Sequence, residues 1–267
     1  MPGSAEHMTE TTPPGLSGAS FVTVDAVSRS FQSVEAVAGA SFQVQKGDLF
    51  GLVGSDGAGK STLLRMIATM IRPSSGRIRI AGLDVIRHAP RIKHLMGYMP
   101  QRFGLYQDLS VRENLDFFMD IFGVTGPDRK KRRDRYLGFS NLLPFLDRLA
   151  GDLSGGMKQK LGLACVLVHQ PELLILDEPT NGVDPVSRKE FWDILFEMKK
   201  EGMTILISTA YLDEGEKCDR LALMHKSRII EIESPEIIRS NFKNLEDAMV
   251  YRIKEVDREL MDDRFGI

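Results

Sequence analysis

Short β-rich runs alternate with amphipathic stretches along this chain from about residue 21 onward. Alternation at period 2 indicates strands, and apolar positions three or four residues apart indicate one face of a helix. A regular succession of strands and helices is typical of an α/β fold. The predicted strands are Phe21–Val27, Leu49–Val53, Arg77–Ala81, Leu95–Met99, Leu173–Leu176, Met203–Ser208, Leu221–Met224 and Arg228–Ile232.

Three of these predicted strands are almost wholly apolar, namely Leu49–Val53, Leu173–Leu176 and Met203–Ser208. A strand that is covered on both faces reads as a continuous apolar run, which is the pattern of parallel sheets. We therefore expect these three strands to form the parallel core of the main sheet.

The strand signal disappears between Gln101 and Ser154, where the pattern predicts helices broken at Gly123, Gly126, Gly138 and Pro144. This change predicts a small helical subdomain at about residues 102–153, inserted into a sheet domain at 21–242. Residues 1–20 are rich in Pro, Gly, Ser and Thr and have no apolar core, which predicts a flexible tail rather than a signal peptide. Residues 243–267 predict a charged helical extension.

The composition excludes several classes of protein. The 267 residues are 42% hydrophobic and 27% charged, with 35 Lys and Arg against 37 Asp and Glu. These values exclude a disordered chain, a collagen-like fibre and a disulfide scaffold, and the near-neutral charge argues against a nucleic-acid-binding domain. The two cysteines, Cys165 and Cys218, are far apart and predict buried thiols in a reducing compartment. The longest apolar run, Leu161–Val168, is too short to span a bilayer.

The most specific motif is a phosphate-binding loop. It follows the apolar strand Leu49–Val53 and precedes a helical run, which is the context that this motif requires. Glycines let the backbone N–H groups turn toward phosphate, the lysine reaches the terminal phosphates, and the serine hydroxyl is a ligand for Mg²⁺. The loop consists of Gly54, Ser55, Asp56, Gly57, Ala58, Gly59, Lys60, Ser61 and Thr62.

Two carboxylates end the buried strand Leu173–Leu176 and complete the predicted catalytic site. Asp177 at the strand tip can hold Mg²⁺ through water, and Glu178 can polarise the attacking water as a general base. Together with the phosphate loop, these residues predict a site for a nucleoside triphosphate and Mg²⁺.

Three further segments occur in a fixed order around these motifs. Gln101 follows a predicted strand, and Gly182-Val183-Asp184-Pro185 follows Glu178. Between them lies a second predicted anion site, a helix N-terminus formed by Ser154, Gly155, Gly156 and Met157. In this combination the chain resembles the ATP-binding subunit of the ABC transporter family over roughly residues 21–236.

The resemblance implies a P-loop NTPase fold with a mostly parallel core sheet, an antiparallel β-subdomain and an inserted helical subdomain. It also implies a head-to-tail dimer, with this chain or a homologous ATPase, in which the segment 154–157 of one subunit completes the site of the other. Gln101 would sense the γ-phosphate and Mg²⁺, and Asp184 would couple the two sites. Phe31 would lie under the adenine ring, although an aromatic residue at this position is also compatible with a core role.

The chain departs from the family pattern at two positions. Met157 replaces a glutamine in the signature segment, which we expect to cost little because the contacts come from Ser154 and the glycine backbone. Ala210, in the string Ser208-Thr209-Ala210-Tyr211, stands where the family places a histidine that contacts the γ-phosphate. Losing one polar contact of this kind typically costs about 100- to 1,000-fold in rate, so Ala210 predicts ATP binding with slow hydrolysis. In its phosphate loop and in the string around Ala210, the chain resembles the first half of some tandem exporter ATPases.

The sequence therefore predicts an ATPase subunit that powers export through a separate transmembrane permease, located in the cytoplasm on the inner face of the membrane. A soluble ATPase of the translation type and a nucleotide sensor with little hydrolysis are the alternatives. No nucleic-acid partner is expected. The basic run at residues 129–135 is interpreted as a solvated helix face or as a contact for acidic loops or lipid headgroups.

Overall fold

The computed structural model describes residues 20–265, with side chains described as far as residue 258. The predicted tail at 1–20 therefore lies outside the described residues, except for Ser20, which begins the first strand. Within the described part, no helix combines the length and the apolar character needed to cross a membrane.

Ten strands form two sheets in the described residues. The strands are β1 (Ser20–Phe31), β2 (Val34–Gln45), β3 (Leu49–Gly54), β4 (Ser75–Ile80), β5 (Leu83–Asp84), β6 (Met96–Met99), β7 (Leu173–Asp177), β8 (Thr204–Thr209), β9 (Arg220–His225) and β10 (Arg228–Glu233). The larger sheet has the order β10-β9-β3-β8-β7-β6 and is parallel except for β10 at its edge. The smaller sheet, β2-β1-β4-β5, is antiparallel.

Helices connect and flank these strands. They are α1 (Lys60–Ile67), α2 (Ala89–Leu95), α3 (Val111–Ile121), α4 (Pro127–Phe139), α5 (Gly155–Leu167), α6 (Pro185–Lys200), α7 (Leu212–Gly215), α8 (Pro235–Ile238) and α9 (Leu245–Phe265). Two short 3₁₀ turns, Leu143–Phe145 and Ala150–Asp152, lie between α4 and α5. The predicted α/β fold with a mostly parallel sheet and an antiparallel sheet is confirmed.

The central strands are buried on both faces because their side chains alternate between two cores. In β7, Leu174 and Leu176 pack into a core with α3, α5 and α6. The alternate residues Leu173 and Ile175 pack on the opposite face, into a core shared with α1 and the antiparallel sheet. Because both faces are covered, these strands do not show the alternation of apolar and polar residues that is typical of a strand with one face in water.

Three details of the sequence prediction are wrong, the first being its omission of the two-residue strand β5. The strand β2 was not predicted, although it pairs with β1 over nearly its whole length. Gly138 was expected to break a helix, but α4 continues through it to Phe139. Tyr136 and Leu137 at the end of α4 are buried, so packing of these side chains holds the last turn in spite of the glycine.

The C-terminal helix α9 packs against α7, α8 and the main sheet. Leu245, Ala248 and Met249 are buried beside Val53 and Leu221 in a third apolar cluster. The predicted helical extension therefore has an apolar face in contact with the strand that leads into the phosphate loop.

Both cysteine thiols are free and buried, as expected from their position in the sequence. Burial raises the pKa of Cys165 and of Cys218 well above the usual thiol value.

Candidate functional site

The candidate site lies at the carboxyl ends of the parallel strands, where β3, β7 and β8 end side by side. The phosphate loop connects β3 to α1, and Asp177 ends β7. Parallel strands put their carboxyl ends at one edge of the sheet, and open α/β sheets bind ligands there. Residues that are more than 100 positions apart in the sequence therefore meet.

The loop geometry depends on two glycines. Gly59 precedes α1 with a φ of 103°, and a Cβ there would lie 2.3 Å from the Ala36 carbonyl oxygen. A Cβ on Gly54 would lie 2.3 Å from the Met224 carbonyl oxygen. A side chain at either position would displace the backbone, so both positions require glycine.

Lys60 is almost fully buried, with 3% of its surface exposed. Its Nζ donates to the carbonyl oxygens of Gly54 at 2.7 Å and Ser55 at 3.0 Å. It also lies 3.0 Å from Glu178 Oε1. The predicted lysine and the predicted general base are thus in direct contact, and a buried ammonium here has three partners for its three protons.

Gln101 reaches the same carboxylate from the opposite side. Its Nε2 donates to Glu178 Oε2 at 3.2 Å, and Asn181 Nδ2 donates to this oxygen at 3.3 Å. The structure therefore brings Lys60, Gln101 and Glu178 together as a group.

The fully buried Asp177 has the contacts of a cation-binding carboxylate. Its Oδ1 accepts from Ser61 Oγ at 2.7 Å and from Ser208 Oγ at 2.8 Å, whereas Oδ2 has no hydrogen-bond partner among the described residues. A buried oxygen with free lone pairs beside a serine hydroxyl fits Mg²⁺, which prefers oxygen ligands. Burial and the Asp177 charge also raise the pKa of the nearby Tyr98 phenol.

Two cavities flank Glu178. One, of 200 Å³, is lined by Glu178, Gly57–Thr62, Val34–Ala36 and Ser227. The other, of 240 Å³, lies on the far side and is lined by Asp56, Glu178, Thr180, Asn181, Thr209, Ala210 and Tyr211. Ala210 thus opens onto the same space as Glu178.

Phe31 lies at the end of β1, paired with Val34 of β2. The residue is 44% exposed, and the Arg29 guanidinium lies 4.6 Å from the centroid of its ring. Phe31 does not line either cavity, although its partner Val34 lines the one beside the phosphate loop.

The second predicted anion site begins α5. Ser154 caps this helix by accepting from the Met157 N–H at 3.3 Å. The space beside Gly155 is open, whereas a Cβ on Gly156 would lie 2.2 Å from Ser187 Oγ of α6. Gly156 is therefore required by the packing of α5 on α6, a role that the sequence prediction did not include. None of residues 154–157 lines either cavity beside Glu178.

Asp184 caps α6, since its Oδ1 accepts from the N–H groups of Val186 at 3.1 Å and Ser187 at 2.9 Å. These hydrogen bonds, chiefly with Ser187, lower the pKa of Asp184.

Sequence reasoning missed Ser208 as a site residue. In addition to its bond to Asp177, its Oγ accepts from the Glu178 N–H at 3.0 Å. One serine thus fixes both predicted carboxylate residues. The sequence alone does not indicate this role of Ser208, because it depends on the register of the sheet, in which Asp177 pairs with Ser208.

Comparison with known proteins assigns the family. The sequence profile described as "ABC transporter" matches residues 37–181, which is more than half of the chain. The chain belongs to the ABC transporter family. The predicted family is confirmed, and the matched region is the ATP-binding, ATPase-type domain of ABC proteins.

Two relatives and one solved structure illustrate the similarity to ABC proteins. The probable multidrug ABC transporter ATP-binding protein YbhF of Escherichia coli is 47% identical over 219 residues, 81% of this chain and 38% of the relative. The Nod factor export ATP-binding protein I of Ralstonia nicotianae is 36% identical over 218 residues, 81% of this chain and 68% of the relative. A solved ATP-binding subunit of an ABC transporter matches 87% of this chain and 99% of its own length, with a TM-score of 0.79 and 27% identity.

Proposed function

We propose that this chain hydrolyses ATP and thereby powers export through a separate membrane permease. The observation that carries the proposal is the contact of Lys60 with Glu178 at 3.0 Å, next to the Ser61–Asp177 hydrogen bond at 2.7 Å. These four residues supply the phosphate contact, the general base and two oxygen ligands in one place. The names of the two ABC relatives, which refer to multidrug transport and Nod factor export, support the transport role.

In the proposed reaction the N–H groups of residues 54–62 hold the phosphates, and the positive end of α1 adds to this attraction. Lys60 moves from Glu178 to the terminal phosphates, which frees the carboxylate. Glu178 then accepts a proton from the attacking water. Ser61, Gln101 and Asp177, the last through water, would hold Mg²⁺. Bound Mg²⁺ neutralises charge on the phosphates during transfer.

We further propose that two ATPase subunits pair head to tail, so that Ser154, Gly155, Gly156 and Met157 of one complete the site of the other. The exposed Ser154 and the open space beside Gly155 leave this helix start accessible. Asp184 lies next to it and couples the sites. Phe31 stacks on adenine from the edge of the phosphate-loop cavity.

The proposed rate is slow because Ala210 adds no polar group to the cavity beside Glu178. Removing a single preorganised donor costs about 100- to 1,000-fold in turnover at comparable sites. The same observation favours a second candidate function, a nucleotide sensor that binds ATP and scarcely hydrolyses it.

The test measures ATP binding and Mg-ATP turnover in the unaltered chain, in Ala210→His and in Ala210→Asn as a polar control without an imidazole. We expect all three to bind ATP and only Ala210→His to gain turnover. Rapid turnover by the unaltered chain would contradict the slow rate. Binding without turnover in all three would favour the sensor.

The partner proposal has its own test. We expect the tagged chain to purify with a transmembrane protein from solubilised membranes of its source cells, and to be found on the inner face of the cell membrane. Recovery with ribosomes instead would favour the translation-type alternative.

A further inference from the structure

A buried carboxylate lies behind the cavity that Ala210 opens onto. Glu214 of α7 has none of its surface exposed. Within the described residues it forms no salt bridge, and it accepts three hydrogen bonds from uncharged groups. Thr180 Oγ1 donates to Oε1 at 2.6 Å, Trp192 Nε1 donates to Oε1 at 3.1 Å, and Thr209 Oγ1 donates to Oε2 at 2.6 Å.

Packing alone does not account for a glutamate at this position. Moving a carboxylate out of water is costly unless hydrogen bonds replace its hydration, and an apolar side chain of similar size would avoid that cost. The three donors come from three separate elements: the segment after β7, helix α6 and the end of β8. The Glu214 carboxylate therefore links these three elements through hydrogen bonds.

Two of the donors stand beside the proposed reaction. Thr180 is two residues after Glu178, and Thr209 precedes Ala210. Both threonines line the 240 Å³ cavity together with Glu178 and Ala210. Glu214 thus holds the two walls of this cavity from behind, although it does not line the cavity itself.

The hydroxyl of Thr209, at the end of β8, forms a second hydrogen bond in addition to the one with Glu214. Since Thr209 Oγ1 gives its proton to Glu214, its lone pairs are free to accept the Tyr211 N–H, at 3.0 Å. Tyr211 OH donates to Asn181 Oδ1 at 3.4 Å, and Asn181 donates to Glu178 at 3.3 Å. Hydrogen bonds of Thr209, Tyr211 and Asn181 therefore connect Glu214 to the proposed general base, with the side chain of Tyr211 as the covalent link between two of them.

We propose that Glu214 is a positioning residue for ATP hydrolysis, which fixes the segment carrying Glu178 relative to the end of β8 through Thr180 and Thr209. This inference rests on the proposed function. We therefore expect loss of the Glu214 contacts to lower the turnover rate. The affinity for ATP should stay unchanged, because no residue of the phosphate loop forms a hydrogen bond with the Glu214 carboxylate.

The chain offers a matched pair of threonines for the test. Thr204 and Thr209 begin and end the same strand, and both are buried. Each hydroxyl also accepts a backbone N–H, from Gly47 at 3.0 Å and from Tyr211 at 3.0 Å. Thr204→Val and Thr209→Val remove the same atoms from opposite ends of β8, so they separate positioning from general loss of stability.

The experiment compares the unaltered chain with Glu214→Gln, Thr209→Val, Thr209→Ser and Thr204→Val. Binding of radiolabelled ATP is measured by equilibrium dialysis, and hydrolysis under single-turnover conditions with protein in excess. We expect Glu214→Gln and Thr209→Val to hydrolyse ATP about 10- to 100-fold more slowly, by analogy with the loss found when hydrogen-bond partners that orient metal ligands are removed. We expect Thr209→Ser, which keeps the hydroxyl, and Thr204→Val to match the unaltered chain, and all five proteins to bind ATP equally.

The single tryptophan of the sequence supplies an independent readout. The indole of Trp192 donates to Glu214, so its emission reports on the carboxylate. We expect Glu214→Gln, which changes the acceptor of the indole N–H, to alter this emission, and Thr204→Val to leave it as in the unaltered chain.

Equal hydrolysis by Thr209→Val, Glu214→Gln and Thr204→Val, in a chain that binds and hydrolyses ATP, would overturn the positioning role alone. If Glu214→Gln fails to fold, the comparison of Thr209→Val with Thr209→Ser and Thr204→Val decides. Failure of the unaltered chain to bind ATP would overturn the proposed function, and the inference with it.

Discussion

Glu178, the proposed general base, has an unusual backbone conformation. Its φ of 48° lies in the left-handed region, which costs a residue with a Cβ about 1–2 kcal/mol. The Glu178 N–H donates to the hydroxyl of Ser208 at 3.0 Å and to its carbonyl oxygen at 3.1 Å. Ser208 thus holds the strained turn that aims the carboxylate at Lys60.

His169 illustrates how burial of one ring makes stability depend on pH. The ring stacks on Phe122 with centroids 3.9 Å apart, and Nε2 lies 3.1 Å from the Met96 carbonyl oxygen. A carbonyl only accepts, so Nε2 carries the proton of the neutral ring. Burial lowers the pKa of His169 below its usual 6.5, because the charged ring would lose its hydration.

This lowered pKa predicts a loss of stability in weak acid. As the pH falls through about 6.5, the unfolded chain takes up a proton at His169 before the folded chain does, so the free energy of unfolding decreases. The slope for one proton is at most about 1.4 kcal/mol per pH unit. Urea unfolding measured at a series of pH values should show a steeper decline for the unaltered chain than for His169→Gln. Equal slopes in the two proteins would assign the pH dependence to other groups.

At the scale of elements, the basic helix α4 has a packing role that neither interpretation of its sequence included. Arg129 forms ion pairs with Asp116 and Asp120 of α3, and Arg133 also pairs with Asp116. Arg135 pairs with Glu201, beyond the end of α6, and Arg132 donates to the Val168 carbonyl oxygen at 2.7 Å. These arginines therefore join α4 to the rest of the molecule, and only part of the run faces solvent.

Arg129→Ala is accordingly expected to lower the free energy of unfolding by about 1 kcal/mol, since partly exposed ion pairs contribute about 0.2–1 kcal/mol each. Lys131→Ala is the control, because Lys131 is exposed on the same helix. Urea unfolding and sedimentation with anionic lipid vesicles check both variants. Unchanged stability together with weaker vesicle binding of Arg129→Ala would favour the lipid-contact interpretation instead.

The elements differ in how well their sequences predicted them, for physical reasons. The strands β3, β7 and β8 were found because burial on both faces leaves an apolar run in the sequence itself. The strand β2 was missed because it contains Ala36, Ala38, Gly39 and Ala40, which have little strand preference of their own. Its extended form comes from pairing with β1, which no local pattern records.

The same distinction applies to the candidate site. The phosphate loop is one unbroken stretch of sequence, and so is the pair Asp177–Glu178. Each could therefore be recognised from its own local pattern. Ser208 and Glu214 act through the register of β7 on β8 and through the packing of α6 and α7. Contacts of this kind depend on the folded arrangement, and the sequence offered no signal for them.

At the scale of the whole molecule, the two predicted anion-binding segments belong to different places. The cavities beside Glu178 are lined by residues of the phosphate loop, whereas the helix start at Ser154 lines neither. If each segment serves an ATP in a symmetric pair, residue Lys60 of one copy meets Ser154 of the other, and the reverse holds at the second site. The proposed dimer therefore contains two sites, each built from two copies.

Mixing two inactive variants tests this arrangement. Lys60→Ala removes the lysine from both sites of its dimer, and Ser154→Arg blocks both helix starts of its own, so each protein alone should lose turnover. In a mixed dimer both defects fall on one site, and the other site is intact. Random pairing of equal amounts makes half of the dimers mixed, so turnover of radiolabelled ATP should recover to about a quarter of the unaltered value. A mixture as inactive as its components would contradict sites shared between copies of this chain. If each site were built within one subunit, every subunit of the mixture would carry one defect in its own site, and no activity would return.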